Sequence, residues 1–207
     1  MTIKTEAEWV EILTACGVRP QTGARWAPFF AAEIQDGTFS AGDADIDDFL
    51  GQVLHESSLL ERLEENLYYT TASRICSVWP SRFPTVNDSA PYVRNPQALA
   101  NRVYGGRLGN TAPSDGWRYR GSGPIQVTGK ANFAALEKIT GMPLVENPDL
   151  LRQPGCEALR VCIAWWEGHV PDSILGNITK VRRIVNGGEV GLSDTVMLTQ
   201  KAKEALA

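Results

Sequence analysis

Ile46, Phe49, Leu50, Val53 and Leu54 recur at spacings of three and four, with Leu60 further along. That is the signature of one buried helical face. It predicts a core helix beginning after the aspartate-rich turn Asp43–Asp47. Glu56 breaks the pattern. On an ideal helix with Phe49 at zero, Val53 falls at roughly 40°, Leu60 at roughly 20° and Glu56 at roughly 340°. A carboxylate in the middle of an apolar stripe costs several kcal/mol unless it is neutral or partnered. A carboxyl group kept neutral suits a general acid. Equally, Glu56 is a residue held by an arginine or by a buried backbone group, and the pattern does not choose between these.

Glu61, Glu64 and Glu65 follow. On a continuous helix Glu65 would lie roughly 180° around the axis from Glu56, so the two could not serve one substrate. Joint work requires the helix to end near Leu63. Asn66 and the β-favouring run Leu67-Tyr68-Tyr69-Thr70-Thr71 supply a break. Without it, Glu64 and Glu65 form an ordinary solvated acidic face.

Around this helix, apolar spacing and breakers predict helices over 6–15, about 26–35, 131–139 and 155–166. A short apolar piece covers 181–185, and a last helix is capped by Ser193. Residues 66–125, rich in Pro, Gly, Asn and Ser, predict loops or short strands. The fold class is mainly α with a small irregular or β-containing lobe. The 207 residues suit a single domain, divided here into an N-terminal helical part, 1–45, and a core, 46–195.

Composition removes several alternatives. A net charge of −4 gives no general attraction to nucleic acid or anionic lipid. Cys16, Cys76, Cys156 and Cys162 have no C-x-x-C spacing and are expected as free thiols. His55-Glu56 opens like a zinc-protease motif, but Leu59 stands where the second histidine belongs. The alternating aspartates Asp43, Asp45 and Asp47 lack the glycine and closing glutamate of a calcium loop, and helix capping accounts for them. Gly105-Gly106 and Gly121-Ser122-Gly123 lack the lysine and strand–loop–helix context of a phosphate loop. They are turns that let backbone approach a ligand. Trp117 and Tyr119 beside such a turn suit either sugar stacking or core packing.

Several blocks occur in one order: LHESSLLERLEENLYYT, WPSRFPT, RNPQALANRVYGGRLGN, DGWRYRGSGPIQVTGKANF, LVENPDLL and RRIVNGG. In that order they resemble glycoside hydrolase family 19, in its phage and bacterial endolysin branch. The resemblance spans about 49–194. It implies a lysozyme-like two-lobed fold with a deep substrate cleft, and inverting hydrolysis of β-1,4-linked N-acetylated sugars with no metal or cofactor. Glu56 then matches the general acid, Glu65 the general base, and Thr128 the hydroxyl that helps hold the attacking water. Gln126, Asn132 and Asn186 match sugar-binding positions. Inverting enzymes keep the two carboxyl groups about 6.5–9.5 Å apart. The chain departs from the family at Ser122, where an arginine is usual, and at Thr195, where an arginine often follows the aspartate.

The expected activity is cleavage of peptidoglycan glycan strands by an N-acetylmuramidase-type endolysin. A chitinase, or a non-catalytic glycan-binding or phage structural module of the same fold, is the alternative. No signal-like run or wall-binding module is evident. The expectation is therefore a monomer made in the host cytoplasm, released to the wall through a holin or its equivalent, with no nucleic-acid partner.

Overall fold

The computed structural model describes residues 3–207. The chain is mostly helical and forms two compact units. The first comprises 1–63, 123–126 and 149–207; the second comprises 64–122 and 127–148. Residue 45 marks no break. The described residues before it and those that follow to Leu63 belong to the first unit.

In the first unit, α1 spans Glu6–Ala15, as its spacing predicts, and opens on a reciprocal capping box between Thr5 and Glu8. α2, Pro20–Glu33, begins six residues earlier than the apolar pattern indicates, because Pro20 starts a helix without losing a needed N–H. α3 runs Asp43–Glu56. Its aspartates lie within the helix instead of preceding it, and two of them are tertiary ties. Asp45 accepts hydrogen bonds from Trp166 Nε1 at 2.8 Å and Ala41 N at 2.9 Å. Asp48 accepts one from Gly176 N at 2.7 Å. Trp9, Trp26, Phe30, Phe49 and Trp166 form the aromatic centre of this core.

Three later helices complete the first unit. The 155–166 pattern becomes α9, Cys156–His169, and the short apolar piece at 181–185 is part of α10, Ile178–Asn186. The last helix, α11, spans Leu192–Leu206 and is preceded by Gly191 in the left-handed region, not capped by Ser193. A side chain at Gly191 would come within 2.1 Å of the His55 ring, which makes glycine the fitting residue there. α3 and α11 meet closely at Gly51, where a Cβ would lie 2.0 Å from Thr199 Oγ1.

The second unit corrects the expected loop-and-strand region. It holds α4 (Ala72–Val78), α5 (Val86–Ser89), α6 (Pro96–Tyr104), α7 (Asp115–Arg118) and α8 (Lys130–Thr140). The side chains of Thr71, Thr85 and Asn95 cap the first three, so residues suggestive of loops are helix starts. Leu67–Thr71 is not a strand. β pairing among the described residues is confined to two isolated antiparallel bridges, Glu64 with Ser122 and Ser122 with Val127. Leu67, Ile75, Phe83, Leu99 and Val103 make the core.

All four cysteines are free, as expected. Burial pushes the Cys16 thiol up to about 11 and that of Cys162 higher still, which keeps both protonated and unreactive.

Burial also raises the Asp48 carboxyl above its ordinary value. The side chain is fully buried, and its Oδ1 has no hydrogen-bond partner among the described residues. A group raised in the folded state contributes stability below the unfolded carboxylate range and loses it as pH rises through the folded value. At neutral pH the ionised form is therefore a cost. Asp48→Asn keeps an acceptor for Gly176 N and is expected to stabilise the protein by about 1 kcal/mol at pH 7. The gain should vanish towards pH 3, as read by urea denaturation across pH.

Candidate active site

Glu56 is the last residue of α3. Its side chain is 20% exposed and accepts a 2.5 Å hydrogen bond from Arg182 Nη1. Of the alternatives open from sequence, the arginine partner is the one present. Arg182 lies on the buried face of α10 beside Val181. At 1% exposure it also donates to Gln52 Oε1 at 3.1 Å and, through Nε, to Val190 O at 2.7 Å. A guanidinium held in this way is a fixed charge, because both of its ends are committed to the fold.

The helix ends at Glu56, earlier than the expected position near Leu63. Ser58, Leu59 and Leu60 all take positive φ, at 51°, 61° and 66°. Three non-glycine residues in the left-handed region cost about 1–2 kcal/mol each. The Ser57 side chain holds the reversal, donating to Val53 O at 2.7 Å and accepting from Leu60 N at 2.8 Å. Burial of Leu60, at 3% exposure, offsets part of the cost.

The other carboxylates sort by partner. Glu61 accepts from Thr22 Oγ1 at 2.6 Å. Glu64 pairs with Arg120 Nε at 2.6 Å, and the Arg120 guanidinium lies 3.8 Å from the centre of the Trp117 ring. Glu65 is held by neutral donors, Tyr104 Oη at 2.6 Å and Gly121 N at 3.3 Å.

The bridges fix a register around Glu65. Antiparallel pairing of Glu64 with Ser122 sets Glu65 opposite Gly121, and pairing of Ser122 with Val127 sets Thr128 opposite the same glycine. Glu65 N donates to Gly121 O at 2.9 Å, in agreement. Residues directly opposite share a face of the pleat. Extended by one residue, that register puts Gly121 between the Glu65 and Thr128 segments.

The remaining predicted residues divide between the units. In the first, Gln126 has φ 55° and donates through Nε2 to Gly123 O, while Asn186 is exposed at the end of α10. In the second, exposed Asn132 donates to Thr128 O at 2.8 Å, which ties α8 to the Thr128 segment. Trp117 is half-buried beneath Arg120. Tyr119 is 2% exposed, donates its hydroxyl to Val145 O and packs on Phe133. It is a core residue with no open face for a sugar.

Sequence reading missed Arg182, Tyr104 and Arg120. The Arg182-Arg183 pair beside Val181 carried no signal of this, since two adjacent arginines can both lie on the polar side of an amphipathic helix. Nothing in the sequence marks Tyr104 as a partner of Glu65.

No family model matches the chain. A glycosyl hydrolase family 19 domain-containing protein of Haemophilus influenzae is 35% identical over 152 residues, covering 72% of this chain and 74% of the relative. An endochitinase of Arabidopsis thaliana is 32% identical over 74 residues, 36% of this chain and 26% of the plant protein. Among solved structures, chitinase C from Streptomyces griseus HUT6037 matches with a TM-score of 0.56 at 16% identity, covering 99% of this chain and 76% of that one. A class IV family 19 chitinase from Zea mays gives 0.57 at 14% identity, covering 100% and 94%. At such identities the structural likeness concerns the fold. Fold and relatives together define a glycoside hydrolase of chitinase-like type. The chain belongs to glycosyl hydrolase family 19.

Removing the Arg182 cation should reveal how far it and Glu56 depend on one another. Arg182→Met leaves Glu56, Gln52 and Val190 without their donor and is expected to cost about 3 kcal/mol. Adding Glu56→Gln should recover part of that loss, giving a coupling energy above about 1 kcal/mol in a double-mutant cycle followed by urea denaturation.

Proposed function

We propose that this enzyme hydrolyses the β-1,4 glycosidic bonds of bacterial peptidoglycan as an N-acetylmuramidase-type endolysin, with inversion at the anomeric carbon. Glu56 donates a proton to the leaving oxygen as the glycosidic bond breaks. Glu65 accepts a proton from a water whose oxygen attacks the anomeric carbon from the opposite face. Thr128 helps hold that water. The observation that carries the base assignment is the register of Glu65 and Thr128 on either side of Gly121. In this reading the attacking water lies between the two segments, shared by both side chains. Arg182 favours the carboxylate that Glu56 becomes on losing its proton, a charge that develops as the bond breaks. Gln126, Asn132 and Asn186 are the proposed sugar-binding residues, with the half-buried Trp117 at the margin.

Family membership supports the glycosidase chemistry, and the blocks typical of the endolysin branch favour peptidoglycan as substrate. In this reading the enzyme acts as a monomer and reaches the wall once a holin or equivalent has opened the membrane. Chitin hydrolysis is the second reading, favoured by the match to a plant endochitinase.

The test is digestion of purified peptidoglycan and of chitin oligomers by the parent protein, Glu56→Gln, Glu65→Gln and Glu61→Gln. Mass spectrometry of the released reducing ends reads the outcome. Muramic-acid reducing ends are expected from the parent, with rates lower by about 10²–10⁴-fold in the first two variants. Glu61→Gln should keep most of its activity, because its partner is Thr22 on the surface. Cleavage of chitin oligomers with intact peptidoglycan would establish the chitinase reading. No release from either polymer, with glycan binding unchanged in Glu56→Gln, would leave a binding module.

A further inference from the structure

We propose that Tyr104 is a positioning residue for the general base: its hydroxyl fixes one oxygen of the Glu65 carboxylate, so that Oε2 is the oxygen that takes the proton from the attacking water. The inference rests on the assignment of Glu65 as the base and adds to it the device that aims the carboxylate.

A glutamate side chain at the end of an extended segment has free rotation about its last torsion. A base must instead present one lone pair to one water. Two donors remove that freedom here. Tyr104 Oη donates to Oε1 at 2.6 Å, the short distance of a hydrogen bond to a charged acceptor. Gly121 N approaches Oε2 at 3.3 Å, a long and weak contact. Oε1 is thus tightly held and less basic, while Oε2 keeps most of its capacity to accept a proton. Oε2 is also the oxygen drawn towards Gly121, the residue that separates Glu65 from Thr128 in the bridge register. When Oε2 takes the proton, the water O–H bond breaks and its electron pair goes into the new bond to the anomeric carbon. The leaving oxygen receives its proton from Glu56.

Tyr104 is suited to be a permanent donor. It ends α6, and its ring packs beside the second core. Burial is the first cause that pushes its phenol well above the ordinary range, and the charge of Glu65 and the hydrogen bond to it add to this. The hydroxyl therefore stays protonated across any working pH. Other titratable or charged groups around the pair are Tyr69, whose phenol is also raised by burial and by Glu65, and Arg74 beside it. Arg107 lies near Tyr104, and Glu64 next in the chain is neutralised by Arg120. Among these, Tyr104 is the side chain whose hydroxyl donates directly to the Glu65 carboxylate.

Packing alone is the competing role, and one substitution separates the two. Tyr104→Phe keeps the ring and removes only the hydroxyl. With chitin hexamer and solubilised peptidoglycan strands as substrates, kcat should fall by about 10–100-fold with KM unchanged. The acidic limb of the kcat/KM profile should move up by about one pH unit, because the ionised base has lost a donor. The limb position does not depend on how much of the variant is folded. In a Glu65→Gln background, the residual turnover measured over long incubations should not fall further when Tyr104→Phe is added. An unmoved limb, or an equal loss in the Glu65→Gln background, would overturn the role given to Tyr104 while leaving Glu65 as the base. Full activity in Glu65→Gln alone would remove the base assignment itself.

Discussion

A row of polar side chains runs along a helix that the fold buries, and each member has a partner for at least one of its polar atoms. Asp45, Asp48, Gln52 and Glu56 follow one another on α3 at spacings of three, four and four, on one side of the helix. Leaving such groups unpartnered costs more than a typical hydrogen bond returns. The first unit is therefore organised around their partners. Trp166 on α9 meets Asp45, the backbone at Gly176 meets Asp48, and Arg182 on α10 meets both Gln52 and Glu56. Apolar burial supplies the cohesion, but this row sets which helices stand where along α3. The same helix that fills the core thus ends on a carboxylate with a fixed cation beside it.

The second unit is built from shorter helices and single bridges. Its short helices begin on Thr and Asn caps and on prolines, and its β pairing is confined to single bridges around Ser122. A lone bridge contributes little stability, yet it specifies register, and here it brings the Glu65 and Thr128 segments to either side of Gly121. The pair Arg120–Glu64, with the guanidinium stacked on Trp117, fastens the segment just before Glu65. Glu65 itself is left with neutral donors, which orient it without supplying a competing positive charge.

The two departures from the family pattern fit this picture. Ser122 is fully buried at the centre of both bridges, and its hydroxyl donates to Arg120 O at 2.8 Å. Thr195 is fully buried in the first turn of α11, where its hydroxyl donates to Gly191 O at 2.9 Å. Both are local fastenings, and the cation beside Glu56 comes from α10 instead.

Periodicity, composition and motif order determined a good deal: a mainly helical chain, the limits of α1, the core stripe of α3, the free cysteines and the membership of a glycosidase family. These are properties of neighbouring residues or of ordered blocks, and neighbouring residues interact wherever the rest of the chain goes. The end of α3 at Glu56 was not legible, because a Ser57 side chain and three left-handed residues override the helical pattern of Leu59 and Leu60. Nor was the choice between a neutral and a partnered Glu56, since Arg182 is 126 residues away in sequence. Tyr119 beside its glycines read as well for a sugar platform as for core, and only Phe133 and Val145 decided it. Tyr104 lies 39 residues from Glu65, with nothing local to link them. Caps and amphipathic faces are written in short-range order; the partners of a buried charge are chosen by folding, and the chemistry of the site depends on those partners.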